Sequence, residues 1–148
     1  EAGKTVRELG TALDLLPTFA QLAGAELPDR ELDGFDLSET LLRGEPSPRE
    51  TFFYYRGAEI FAIRHGPWKA HFVTEGAYGL DGPRIDHETP LLYHLSHDPS
   101  ERHDLAEKNP DIVQAMRTRK ALQEAQVEPA PSRYTETLDY QERPNWAR

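Results

Sequence analysis

The chain has 148 residues, room for one domain of ordinary size, but only 37% of them are apolar, so its core must be small. Twenty-six acidic residues against 17 Lys and Arg leave a net charge of −9, and the cations are scattered, which argues against a nucleic-acid partner and against docking on an anionic membrane. There is no cysteine, so disulfides, thiolate zinc sites and cysteine nucleophiles are excluded within the chain; no apolar run approaches the ~18 residues of a membrane span, and a first residue of Glu reads as a piece of a longer polypeptide.

The first element is a helix in "LDLLPTFAQLAGAELP". Leu15, Leu16, Phe19, Leu22 and Ala23 recur on one helical face. With Asp14 as N-cap, Pro17 falls at the third position, where no intrahelical N–H is needed; Gly24 ends the helix and Pro28 blocks its continuation. "DLSETLLRG" repeats the pattern in miniature, with Asp36 capping and Gly44 terminating.

The period then changes to two. "TFFYYR" (51–56), "AEIFAIR" (58–64), "WKAHFVT" (68–74) and "PLLYHLS" (90–96) read as strands. "HGPW" is the turn of an antiparallel hairpin between the second and third. The glycine-rich stretch of fifteen residues before the fourth reads as a long loop. Asn109 and Pro110 open a last helix as N-cap and N1, with Ile112, Ala115, Met116, Arg119 and Leu122 on one face up to about Gln126. The fold class is therefore α+β: a small four-stranded antiparallel sheet with helices packed on one face, spanning 1–127. Residues 128–148 form an extended tail whose Tyr134, Leu138, Tyr140 and Trp146 are costly to leave in water, so it wraps over something.

No phosphate-cradling glycine loop, G-x-S-x-G or H-E-x-x-H is present. His94, His97 and His103 invite a metal reading, yet a spacing of three on a strand puts the first two on opposite faces, and no metal ligand is assigned. Lys69 and His71 share a strand face. They are either cations that line a pocket for an anionic substrate or the polar side of a half-covered sheet. His87, in "RIDHETP", is either a loop histidine reaching into a neighbouring cleft or a solvent-facing one.

The ordered series "LDLLPTFAQLAGAELP", "LDGFDLSETLLRGE", "FFYYRG", "GPWKAHFVT" and "HETPLLYHLSHDPSERHDL" resembles the C-terminal part of the sulfatases, of the arylsulfatase A and N-acetylgalactosamine-6-sulfatase type. The resemblance covers residues ~1 to 115 well and the tail loosely. It implies a C-terminal subdomain of an alkaline-phosphatase-superfamily enzyme that hydrolyses sulfate esters, on a sulfated sugar or an aryl sulfate. A preceding catalytic domain would carry calcium and a formylglycine matured in a C-x-P-S-R motif, and would be this region's partner. Neither cofactor is expected here: "SPR" at Ser47–Arg49 lacks the preceding context, and no catalytic or calcium ligand is carried over. By the resemblance His87 is the first candidate for contact with the sulfated carbohydrate, and Lys69 and His71 follow as wall residues. The region by itself is expected to be inactive, to associate as a homodimer through its exposed interface, and to belong to a periplasmic or secreted enzyme. The alternative is a stand-alone sulfatase-derived binding module without catalysis; a third reading keeps the enzyme but changes the bond to a phosphodiester.

Overall fold

The structure, a computed structural model, describes Gly3, residues 5–76 and residues 82–128. A 3₁₀ turn (Ala12–Asp14) leads into α1 (Leu15–Ala23), followed by α2 (Ser38–Arg43), strands β1 (Thr51–Arg56), β2 (Glu59–His65), β3 (Trp68–Thr74) and β4 (Ile85–His94), a 3₁₀ turn (Ala106–Lys108) and α3 (Pro110–Gln126). The strands form one antiparallel sheet in the order β1-β2-β3-β4. Gly66, at φ 54°, makes the tight β2–β3 turn that joins the His65↔Trp68 pair. The expected tail, 128–148, lies outside the described residues beyond Glu128.

The sheet is covered on one face by α3. Ile63, Ala70 and Leu92 stand in register across β2, β3 and β4, and with Ile60, Phe72 and Val73 they pack against Ala106, Val113 and Met116. Pro110 starts α3 at its first position, where a missing N–H costs nothing. Asn109 stands where the cap was expected, but its amide donates back to the Leu105 carbonyl at 2.9 Å instead of capping the helix. Leu122, assigned to the same face as Met116, is 59% exposed, so α3 docks through its first half.

One boundary differs from expectation. β4 begins at Ile85, not Pro90, so the last five residues of the supposed long loop are strand. Its acidic residues and its proline masked it, and both are tolerated because β4 is an edge strand: Asp86 and Glu88 face solvent. α1 starts at Leu15 with Asp14 at the N-cap position, as expected, and a 3₁₀ turn with Thr11 at its own N-cap precedes it. Thr11 donates its N–H (2.8 Å) and hydroxyl (3.0 Å) to the Asp14 carboxylate. Pro17 is accommodated as the third residue of α1, where no intrahelical N–H is needed; Gly34 packs close by, and a Cβ on it would lie 2.1 Å from the Leu13 carbonyl oxygen.

Asp14 is the anchor of this half. It is 1% exposed, it accepts the Phe35 N–H at 2.8 Å, and it is bonded by Arg49 through Nε (2.9 Å) and Nη2 (2.5 Å). Arg49 also donates to the Asp33 carbonyl at 2.7 Å and lies 4.7 Å from the Phe35 ring. Burial alone would raise the Asp14 pKa, but Arg49 and the backbone donors outweigh it and bring it down to about 2. The pair ties α1 to the residue two before β1.

With Asp14, Pro17 and Thr18 inside, α1 turns its apolar stripe outward. Leu15, Leu16, Phe19 and Leu22 are half or more exposed, and so are Leu41 and Leu42 of α2. The Thr18 hydroxyl donates to the Asp14 carbonyl (2.6 Å) and accepts the Leu37 N–H (2.9 Å), so polar bonds, not apolar burial, hold α1 to the segment entering α2.

Candidate functional site

The face of the sheet opposite α3 carries the residues singled out by alternation. Ladder register places Lys69 between Arg64 and Tyr93, and His71 between Ala62 and Leu91. Both side chains close on Glu101: Lys69 Nζ lies 2.6 Å from Oε1 and His71 Nε2 lies 2.5 Å from Oε2. The Tyr54 ring lies 4.9 Å from Lys69 Nζ, and the Tyr93 ring stands edge-on to His71 at 5.8 Å. A basin of about 280 Å³ is bordered by Tyr54, Phe61, Lys69, His71 and Thr74.

Glu101 was not foreseen from the sequence. It comes from the turn after β4 and sits at φ 53°, a left-handed backbone conformation that costs a non-glycine residue about 1 kcal/mol. Asp98 holds that turn: its Oδ2 accepts the N–H groups of Arg102 (2.7 Å) and His103 (2.8 Å), and its carbonyl accepts the Glu101 N–H. Asp104 finishes the turn by accepting the Leu92 and Ala106 N–H groups, both at 2.9 Å. The available signal was the charge run "HDPSERHD", whose turn-forming Asp and Pro place one acidic side chain back over the strands.

Electrostatics at the cluster are balanced. Burial pushes the His71 pKa below its ordinary value, the Glu101 hydrogen bond pulls it up, and Lys69 pushes it down again; the net direction is down. Burial raises Glu101, but its bonds to Lys69 and His71 outweigh this and leave it lowered. The result is an ionised carboxylate that neutralises Lys69 and accepts from His71.

His87 lies on β4, not in a loop. Its Nε2 is 2.9 Å from the Thr74 hydroxyl, which borders the basin beyond a register shift between His71 and Val73. The three candidates are thus grouped at the basin, with His87 linked to it through Thr74. His94 and His97 are not on opposite faces: the strand ends at His94, and the turn stacks the two rings 4.2 Å apart, an arrangement unsuited to a shared ion. No three His, Asp or Glu side chains converge as an ion site among the described residues. The acidic and histidine side chains among the described residues therefore do not converge as a calcium site.

Residues 47–147 match the family described as the C-terminal region of aryl-sulfatase. The chain belongs to the sulfatase family. It is 43% identical over 144 residues to human arylsulfatase A, covering 83% of this chain and 28% of that protein. It is 34% identical over 167 residues to mouse N-acetylgalactosamine-6-sulfatase, covering 99% of this chain and 32% of that one. It therefore spans under a third of the length of these relatives. Among solved structures, Ps i-CgsB superposes with a TM-score of 0.64 at 27% identity, over 87% of this chain and 27% of its own. The PsFucS1 sulfatase from Pseudoalteromonas sp. shares the fold with a TM-score of 0.69 at 21% identity, over 84% of this chain and 27% of its own. The α+β sheet with its helices is thus the C-terminal region of a sulfatase.

Proposed function

We propose that this region packs through α1 and α2 against the catalytic domain of the same polypeptide and closes one side of its substrate cleft, in an enzyme that hydrolyses a sulfate ester of a sugar or an aryl alcohol. The observation that carries the reading is the outward stripe of Leu15, Leu16, Phe19, Leu22, Leu41 and Leu42. Covering the exposed half of six such side chains is worth roughly 5–9 kcal/mol of transfer free energy, an upper figure. The occupant follows from coverage: the relatives have more than two thirds of their length outside the matched part. In this reading calcium and formylglycine belong to that part, as membership of the sulfatase family implies.

The basin would form the wall of the cleft, with Lys69 and His71 as its framework and His87 as the sugar or leaving-group contact. A carbohydrate substrate is supported by the relatives' names and by a complex of Ps i-CgsB with k-i-k-neocarrahexaose. A periplasmic or secreted setting is the matching expectation; no helix among the described residues is long and apolar enough to cross a membrane.

The test compares the full-length protein with residues 1–148 alone on nitrocatechol sulfate with calcium. Full-length protein turns over and the isolated region does not. In the full-length protein, Phe19→Asp with Leu22→Asp abolishes turnover and lowers the unfolding temperature, whereas His87→Ala raises KM on a sulfated oligosaccharide with kcat on the aryl substrate unchanged. Turnover by 1–148, or full activity in the Phe19/Leu22 variant, refutes the reading. Alone, the region associates through the bare stripe, and light scattering showing a strict monomer at millimolar concentration counts against that stripe as an interface.

A further inference from the structure

The basin carries less positive charge than its residue types suggest. Lys69 is committed on two sides, with Nζ 2.6 Å from Glu101 and 4.9 Å from the centre of the Tyr54 ring. Arg56 and Arg84 flank Phe61, each guanidinium 5.6 Å from that ring, which lines the basin. Both are paired: Arg56 with Glu75 at 2.6 Å, and Arg84 with Glu59 at 2.7 Å and Asp86 at 2.6 Å. Three cations thus face four carboxylates, and an anion entering the basin meets no uncompensated positive charge from them.

His71 decides what the basin offers instead. An ionised carboxylate only accepts hydrogen bonds, so the proton in the 2.5 Å contact with Glu101 sits on His71 Nε2. The imidazole is neutral above its depressed pKa, and Nδ1 then keeps a lone pair. That atom has no hydrogen-bond partner among the described residues, and it is not one of their buried unpartnered atoms. The open acceptor belongs to a ring that borders the basin together with Tyr54, Phe61 and Thr74. Glu101 is held at this place against backbone strain, at φ 53°. A glycine would sit there unstrained but would leave the Lys69 charge bare and the His71 tautomer unset.

A sugar ring matches this surface. Its hydroxyls donate to an acceptor, its C–H edges rest on the negative faces of aromatic rings, and about 280 Å³ is close to the lower bound for a small-ligand pocket. A sulfate or carboxylate does not match, because it brings acceptors to an acceptor and negative charge to a surface already compensated.

We propose that the basin holds an uncharged, hydroxyl-bearing sugar ring through a hydroxyl donating to His71 Nδ1, and that Glu101 sets this preference by fixing the histidine tautomer and cancelling Lys69. Glu101 is a positioning residue: it acts through Lys69 and His71. The assignment rests on the reading of the basin as a wall of the substrate cleft, and it places the sulfate to be cleaved outside the basin.

The test uses full-length protein with nitrogen-15-labelled histidine. It is titrated with methyl β-galactoside and methyl β-glucoside, each against its uronide, which carries a carboxylate in place of the hydroxymethyl group. The free protein shows the Nε2–H tautomer at His71. A neutral glycoside moves the His71 Nδ1 signal, and its uronide binds about tenfold more weakly or worse. Glu101→Gln narrows or reverses that ratio, and adding Lys69→Met restores it; a merely structural role for Glu101 would weaken both ligands alike and leave the ratio unmoved. An Nδ1–H tautomer, equal or tighter binding of the uronides by the parent, no response of His71 to either neutral glycoside, or an unmoved ratio in Glu101→Gln would each overturn the assignment. Should Glu101→Gln not fold, the tautomer and the ratio in the parent still decide. Turnover of nitrocatechol sulfate on the same samples separates the two readings: absent turnover with these responses refutes the sulfatase cleft alone, and turnover without them refutes this assignment alone.

Discussion

Substituting Arg49 by Met would leave the Asp14 carboxylate 1% exposed and without the cation that faces it. Removing one member of a buried ion pair costs about 3–5 kcal/mol, because the remaining charge keeps its desolvation penalty. The Asp14 pKa gives an independent handle. Folding lowers it from 3.8 to about 2, so the group contributes stability at any pH above the unfolded value, and that contribution is lost as pH falls through about 2. A shift of this size is worth about 2 kcal/mol. Urea unfolding of the chain, followed by far-UV circular dichroism from pH 6 to pH 2, reads both effects. Arg49→Met lowers stability by 3–5 kcal/mol at pH 6. Asp14→Asn removes about 2 kcal/mol of the acid-induced loss, and Asp14→Leu with Arg49→Met is closer to the parent than Arg49→Met alone. An Arg49→Met cost below about 1 kcal/mol at pH 6, with unchanged acid sensitivity in Asp14→Asn, would refute the view that this pair is what ties α1 to the sheet.

Gly34→Ala places a methyl group 2.1 Å from the Leu13 carbonyl oxygen and is expected to cost about 1–3 kcal/mol, measured as a lower urea midpoint. On α3, Met116→Ala costs about 2–5 kcal/mol, whereas Leu122→Ala, at a site 59% exposed, stays within about 0.5 kcal/mol; equal effects would contradict the docking described. The His71 imidazole titrates below 6.5 in NMR spectra, and lower still in Glu101→Gln, because the bond that opposes the burial effect is gone. Since this folded pKa is depressed, the unfolded chain takes up the proton first as pH falls below about 6.5, and His71 lowers stability from there down to its folded value. A midpoint at or above 6.5 would show that Glu101, not burial, governs the histidine.

What could be read from the residues was the local chemistry. Alternation marked β1, β2 and β3, and glycine and proline marked the turns, because a period of two and a backbone restriction act within a few residues. The same alternation put Lys69 and His71 on one face, where they are found. β4 was half hidden because an edge strand does not need an apolar pattern on its solvent side.

The tertiary structure decided everything that depends on distant partners. Nothing local distinguishes Glu101 from its acidic neighbours; it becomes the partner of Lys69 and His71 only because the turn after β4 returns over β3. Asp14 and Arg49 are 35 residues apart, and nothing local to either announces their pairing. The apolar stripe of α1 was legible as a pattern, but a pattern states only that a face must be buried, not against what. The fold fills the interior of the N-terminal half with Asp14, Thr18 and Arg49 and leaves Leu15, Leu16, Phe19 and Leu22 exposed.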